Sequence, residues 1–458
     1  MQGWCTLFPV FHWLNWSFVS SGLGKFPMLG HDSRPFAGSP GADKRRELGG
    51  KSLLYVACVL FIKGDWAEFA MTLGFASWAT KLFPCPFCKA TYDDMYDFKG
   101  FDALHAKWPP VTIDDIERAT SACEVRVRLT RESHARVVAA LRYDRRKEGA
   151  RGRALIVPLP ELGLKAGDRL EPSATLLDVG CFDDLTSFPT VVVFWRRRAE
   201  TRVRHRNPLF DKRIGLTHES LAIDKLHTLY QGPTQTWCAT SIWALIEHDV
   251  YKVGTDNGVE DTATRALLHI REELWAWYKR RRAEFPLEDI TEVENLCGGM
   301  IGTAGNPTMK TKACETKGLV PFVCYLLSEH QGQLPQPKGA DLLAAGNAMV
   351  AYFDLLKESG TVVGDRRLQA MYDAVKRYLR FAGPAGVPFK PKAHALAHMV
   401  QRTQRQGNPD SYATFRDEGL NAVLKSIGLV AHRSVWEQRV LIYFEKAQSP
   451  QASKRKRS

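Results

Sequence analysis

Cys85 and Cys88 stand on a turn that also contains Pro84 and Pro86. A Cys-x-x-Cys turn aims two thiolates at one ion and so fills half of a tetrahedral zinc site. The other half is on offer far downstream, in "PKAHALAHMV", where His394 and His398 are four residues apart and share one face of a helix. If one zinc takes all four side chains, an early and a late segment of the chain must meet, and what lies between them becomes an insertion. The other reading makes Cys85 and Cys88 small buried apolar residues, and the two histidines ordinary helix residues.

The 458 residues, 45% of them hydrophobic, are enough for two or three domains with real cores. Ten cysteines in such a chain do not resemble a secreted disulfide framework, so a reducing compartment is expected. Lys and Arg outnumber Asp and Glu by 63 to 50. The excess is concentrated in "FWRRRAETRVRHR" (194–206), "YKRRR" (278–282) and the terminal "SKRKRS". Patches of this kind suit a polyanion, nucleic acid first, and Arg196, Arg197, Arg198, Arg280, Arg281 and Arg282 are the DNA-backbone candidates. A solvated basic face is the competing account. The terminal KRKR reads as a nuclear import tag. The longest uninterrupted apolar run, "LLYVACVLFI", is too short to span a bilayer, so no membrane is expected.

The opening aromatic segment reads as a strand, followed by a Gly-, Ser- and Pro-rich loop to residue 50. An apolar, β-branched run from Lys51 to Gly64 reads as a buried strand, with a helix or turn at 66–73. Between 120 and 215, "CEVRVRLT", "ALIVPLP" and "FPTVVVFW" are strand-like, while from 221 onward apolar residues recur at helical spacing. The boundaries that follow are 1–119, 120–215 (β-rich), 216–385 (helical), 386–446 (C-terminal helices) and 447–458 (a basic, disordered tail).

Two carboxylates flank the zinc ligands symmetrically. Asp65 follows a strand and precedes Cys85, and Glu418, in "YATFRDEGLNAVLKSI", follows His398 at the same distance in sequence. A zinc that joined the Cys and His segments would draw these acids together. A strand-end Asp beside a helical Glu is what a magnesium-dependent phosphoryl-transfer site requires, because hard oxygens hold the ions. Read alone, Asp65 fits an N-cap equally well. A third pair, Asp224-x-x-His227 in "IDKLHTLYQGPTQTW", can share one helix face and contact a phosphate, a base or a metal. Glu315, among lysines in "MKTKACETKGL", is a rival acid. Trp275 and Trp277 fit either base stacking or a helical core.

At these residues the chain resembles CACTA-type (Tnp2-like) DNA transposases. "KGDWAEFAMTLGFASWATKLFPCPFC", "DKLHTLYQGP", "PKAHALAHMV" and "FRDEGLN" occur in the family's order, an order also similar to that of the antigen-receptor recombinase. The resemblance implies an α/β fold: a partial RNase H-like core with a large β-rich and helical insertion, completed by C-terminal helices. It further implies Asp65 and Glu418 as the second and third acids of a DDE triad. Asp224 and His227 would be an Asp-His signature in the insertion, and Cys85, Cys88, His394 and His398 a structural zinc site. The family's first acid lies ahead of a segment like "FPVFHWLNWSF", which here occupies 8–18, and Asp32 is a poor substitute. An N-terminally truncated transposase is therefore expected, its magnesium-dependent DNA cleavage and strand transfer reduced or lost. Its partner would be DNA, its compartment the nucleus, and its assembly a homo-oligomer. The alternatives are a non-catalytic, zinc-stabilised nucleic-acid-binding or scaffold protein, or an unrelated zinc-stabilised helical protein.

Overall fold

A computed structural model describes residues 4–37, 41–75, 78–79, 84–99, 101, 107–112, 114–115, 123–127, 155–158, 190–193, 201–205, 207–254, 258–288, 290–430, 439 and 442. Arg196, Arg197, Arg198 and the basic tail lie outside the described residues. The fold is mixed α and β and mostly helical. It divides into two compact units: 1–62, 66–94 and 108–221 form the first, and 63–65, 95–107 and 222–458 the second.

The first unit begins with helix α1 (Trp4–Leu23) and helix α2 (Ala42–Leu48). Two strand expectations need correcting here. The aromatic N-terminal segment is helix, not strand: its apolar residues do not alternate with polar ones, and a segment of 20 residues is long for a strand and ordinary for a helix. The apolar run from Lys51 is also not a buried strand along its length. Only β1 (Ile62–Gly64) enters a ladder, and its partner β6 (Leu221–Ile223) is equally short. Leu54 adopts φ 65°, which interrupts the extended run, and its side chain is 94% exposed. The expected helix after Asp65 is α3 (Trp66–Thr72). Its Phe69 packs edge-on against Phe87 with ring centroids 5.8 Å apart, and Phe75 meets Phe210 in the same way.

The strand-like segments between 120 and 215 do form strands. β2 (Cys123–Val127) pairs antiparallel with β5 (Thr201–His205), and β3 (Leu155–Pro158) pairs antiparallel with β4 (Thr190–Val193). Asn207, just beyond β5, is buried; its side chain donates to the Leu73 carbonyl and accepts from Leu209 N–H.

The second unit is built from helices: a wide turn Leu226–Thr234, then α4 (Gln235–Glu247), α5 (Val259–Glu284), α6 (Ala313–Glu329), α7 (Lys338–Glu358), α8 (Asp365–Ala382), α9 (Pro391–Gln406) and α10 (Phe415–Val430). A small hairpin, β7 (Gly302–Thr303) with β8 (Asn306–Pro307), interrupts them. α8 shows why the pattern folds as it does: Met371, Tyr372, Val375, Tyr378, Leu379 and Ala382 fall on one face and are buried, chiefly on α7 and α9. α4 is buried nearly all round, its polar residues included. Its Trp237 donates from Nε1 to the Leu342 carbonyl and lies on Gly346 of α7, where a Cβ would come within 2.2 Å of the indole. Trp277 is in the core and Trp275 is half-exposed. No described helix is long and apolar enough to cross a membrane.

A candidate acidic centre and a candidate metal group

The acidic centre lies within the second unit, at the ends of the paired strands β1 and β6. Asp65 follows β1, and Asp224 follows β6, its N–H donating to the Gly64 carbonyl at 2.9 Å. Asp224 is fully buried, so both of its carboxylate oxygens need partners. They have them. Oδ2 accepts from the His227 backbone N–H at 2.9 Å and from His227 Nδ1 at 2.6 Å, and Oδ1 accepts from the Thr414 N–H at 2.8 Å. Burial pushes the Asp224 carboxyl up, but the hydrogen bonds from His227 and Thr414 outweigh it and hold the group below the ordinary carboxylate range.

With Nδ1 committed to Asp224, His227 directs Nε2 toward Glu418, whose Oε1 is 3.5 Å away. The bond to Asp224 raises the imidazole above its ordinary range against the effect of burial, and the charges of Asp224, Asp65 and Glu418 add to the rise. Three carboxylates from distant parts of the sequence thus act on one ring.

Local packing sets Glu418. α10 begins where Thr414 is held by Asp224, and its first-turn Asp417 pairs with Lys63 of β1 at 2.5 Å. Acids in a first turn also suit the helix dipole. Upstream, Asn408 donates to the Leu356 and Ser359 carbonyls, and Asp410 pairs with the buried Lys225, whose ammonium lies over the rings of Tyr230 and Phe415.

Lys392, in the first turn of α9, was not singled out in the sequence. Its Nζ donates to the Gln231 carbonyl at 3.1 Å. Its stem crosses Gly232, where a Cβ would lie 2.8 Å from that of Lys392, so the glycine is what allows the lysine through. Burial lowers the Lys392 ammonium, while Asp65 and Asp224 pull it back up. The sequence signals for this residue are its place in "PKAHALAHMV" and the glycine of "LYQGP".

Other candidates resolve differently. Glu315 is a capping residue: its carboxylate accepts from the Lys312 N–H at 2.7 Å at the start of α6. Asp32 accepts from Arg34 N–H in a local turn of the first unit. Arg281 pairs with Glu288 and lies over Phe285, Arg282 pairs with Glu292, and Arg280 lies over Tyr325.

The four sulfur and nitrogen candidates are all buried. The Cys85–Cys88 turn is strapped to residues 109–111 by the Lys89 N–H to Pro109 and Val111 N–H to Phe87 carbonyl bonds, and Phe87 N–H points at Cys85 Sγ at 3.4 Å. Burial pushes the Cys88 thiol far above its ordinary range, and neighbouring Cys85 adds to that. On α9, the His394 and His398 rings stand edge to face with centroids 4.7 Å apart. His394 Nδ1 is 2.8 Å from the Met95 carbonyl and His398 Nδ1 is 3.2 Å from Gln401 Oε1. Both acceptors draw the ring protons to Nδ1, which leaves the two Nε2 atoms facing each other at 3.0 Å. Two lone pairs so placed repel, and a cation between them removes the repulsion. The ligand atoms of Cys85, Cys88, His394 and His398 lie within 4.8 Å of one another, and the group could hold a metal ion.

Comparison with protein-family models, curated proteins and solved structures gives no match to this chain.

Proposed function

We propose that the chain is a transposase-derived DNA-processing protein, with a partial RNase H-like core bearing Asp65, Asp224, His227 and Glu418 and a structural zinc on the Cys2His2 group. The observation that carries the reading is the convergence of Asp65, the Asp224–His227 pair and Glu418 on one imidazole. These are the segments on which the resemblance to CACTA-type transposases rests. In this reading Asp65 and Glu418 are the residues that would hold magnesium, which, when bound, stabilises charge on the reacting phosphate oxygens. Asp224 is a positioning residue: it holds the His227 backbone N–H and ring Nδ1 on one oxygen and the Thr414 N–H on the other, which orients the ring so that its Nε2 can hold or move a proton beside Glu418. Zinc suits the donor set because two soft thiolates and two Nε2 atoms with oxygen-bound Nδ1–H groups are its usual ligands.

A second reading, a DNA-binding protein without strand cleavage, is favoured by one feature. Among the described residues, the Cys/His group is where metal-ligand atoms gather, and the carboxylates around His227 do not form such a group. Magnesium-dependent nicking of supercoiled plasmid separates the two. The first reading expects nicking that falls to background in Asp65→Asn and in Glu418→Gln. A wild-type protein that binds DNA and leaves the plasmid intact would establish the second.

A further inference from the structure

Resting on the DNA-processing reading, we infer that Lys310, Lys312, Lys390 and Lys392 form the seat for the DNA phosphodiester backbone beside the acidic centre.

The lysines gather around one piece of backbone, the end of the wide turn Leu226–Thr234 at Gln231–Gln235, and the hairpin strand beside it. On one side runs the strand leaving the β7–β8 hairpin. Met309 N–H donates to the Gln235 carbonyl, and Gln235 Nε2 donates to the Thr311 carbonyl at 2.8 Å, so Lys310 and Lys312 alternate with residues pinned to the turn. Gly302 makes this hairpin possible. Its φ is +69°, and a Cβ there would meet the Asn306 carbonyl oxygen at 2.6 Å. On the other side is the start of α9. Lys392 bonds the Gln231 carbonyl, and Lys390 reaches across to Asn306 Oδ1 and Thr308 Oγ1 of the hairpin strand.

Charge accounting then distinguishes this strip from the arginines of α5. Arg281 and Arg282 already have carboxylate partners. Lys390 and Lys392 donate to neutral oxygens, and among the described residues no carboxylate lies within ion-pair distance of either of them or of Lys310. Lys312 has Glu315 at 3.7 Å, but its side chain is 86% exposed and Glu315 is engaged in capping α6. Residues 306–318 hold three lysines and one acid, and residues 389–393 hold two lysines and none. Lys392 faces the charges of Asp65 and Asp224, while Lys310 and Lys390 have no carboxylate within ion-pair distance among the described residues; together they offset the centre's repulsion of a polyanion and leave charge to spare for phosphates.

The test is fluorescence anisotropy of a labelled DNA duplex with the full chain across a salt series. Each phosphate neutralised contributes about −0.9 to the slope of log K against log salt. The variant Lys310→Gln/Lys312→Gln/Lys390→Gln is expected to flatten that slope by about 2 to 3 and to weaken low-salt binding at least tenfold. Because Lys390 also braces the hairpin, Lys310→Gln/Lys312→Gln is measured beside it and should flatten the slope by about 1 to 2 with an unchanged thermal melt. Arg280→Gln/Arg281→Gln/Arg282→Gln should keep the wild-type slope. Wild-type slopes in both lysine variants, or a loss confined to the arginine variant, would overturn the strip while leaving DNA binding intact. A wild-type chain that binds no duplex at any salt would sink the strip and the DNA reading together.

Discussion

Asp224→Asn probes the acidic centre most sharply, because it changes one atom and leaves the shape. The carboxylate accepts three hydrogen bonds, two on Oδ2 and one on Oδ1. An amide has a single acceptor oxygen. If that oxygen faces His227, the NH2 group confronts the Thr414 N–H; if it faces Thr414, the NH2 group confronts the His227 backbone N–H. In either orientation a buried backbone donor meets another donor, at a cost of about 1–3 kcal/mol, and the lost charge assistance brings the total to about 2–4 kcal/mol.

The pH dependence makes this prediction specific. His227 is raised in the folded state, so its contribution is full below the unfolded value of 6.5 and fades as pH rises through the folded value. Asp224 is lowered, so its contribution is full above the unfolded value of 3.8 and fades as pH falls through the folded value. The wild-type advantage over Asp224→Asn should therefore be widest between pH 3.8 and 6.5. Urea midpoints across that range, with an NMR titration of the His227 ring, are the assay. A variant within about 0.5 kcal/mol of wild type at every pH, with an unmoved His227 titration, would refute the argument that Asp224 positions the ring.

Zinc is expected to purify with the chain in stoichiometric amount and to be lost in both Cys85→Ser and His398→Ala, as read by elemental analysis. Chelation should also expose the Cys85 and Cys88 thiols to alkylation, whereas thiols that react equally before and after chelator would argue against a bound ion. Gly346→Ala should destabilise the second unit by about 1–3 kcal/mol in a denaturant series, because the added methyl overlaps the buried Trp237 ring and Cys324 sulfur. An unchanged midpoint would mean that α7 and α4 are less tightly packed than their contacts show.

Periodicity exposed most of the second unit in the sequence, since helices such as α8 carry their apolar residues on one face and declare it. The strands at 123–127, 155–158 and 190–193 were equally open to reading from their alternating or β-branched residues, while 201–205, read as a basic patch, was not taken for a strand. The misreadings share one cause. Segment 53–61 is continuously apolar, and 4–23 is largely apolar with scattered polar residues such as His12 and Asn15, so neither carries a clean period. What decides them is a ladder partner, and Leu221–Ile223 supplies one for three residues only. In the acidic centre, Asp224 and His227 were legible from their spacing and Glu418 from its distance to His398. Lys392 was not, because its place depends on a missing Cβ at Gly232, in a segment far removed in sequence.

The engagement of both Asp224 oxygens limits what chemistry the centre can perform. Both oxygens of the fully buried Asp224 carboxylate are already engaged, in three hydrogen bonds of 2.6–2.9 Å, and recruiting it as a ligand would loosen its hold on His227 and on the start of α10 together. On the proposed reading, Asp65 and Glu418 are then the acids left to hold a hard cation, with His227 between Asp224 and Glu418 as the group that would move a proton. Two carboxylates bind magnesium more weakly than three, so any nicking should require more magnesium than a complete acid triad would. Raising magnesium should restore activity where supplying further DNA does not. If instead nicking saturates at low magnesium and Asp224→Asn abolishes cation binding directly, Asp224 is a ligand, and the hydrogen bonds that now hold it must rearrange when the ion arrives.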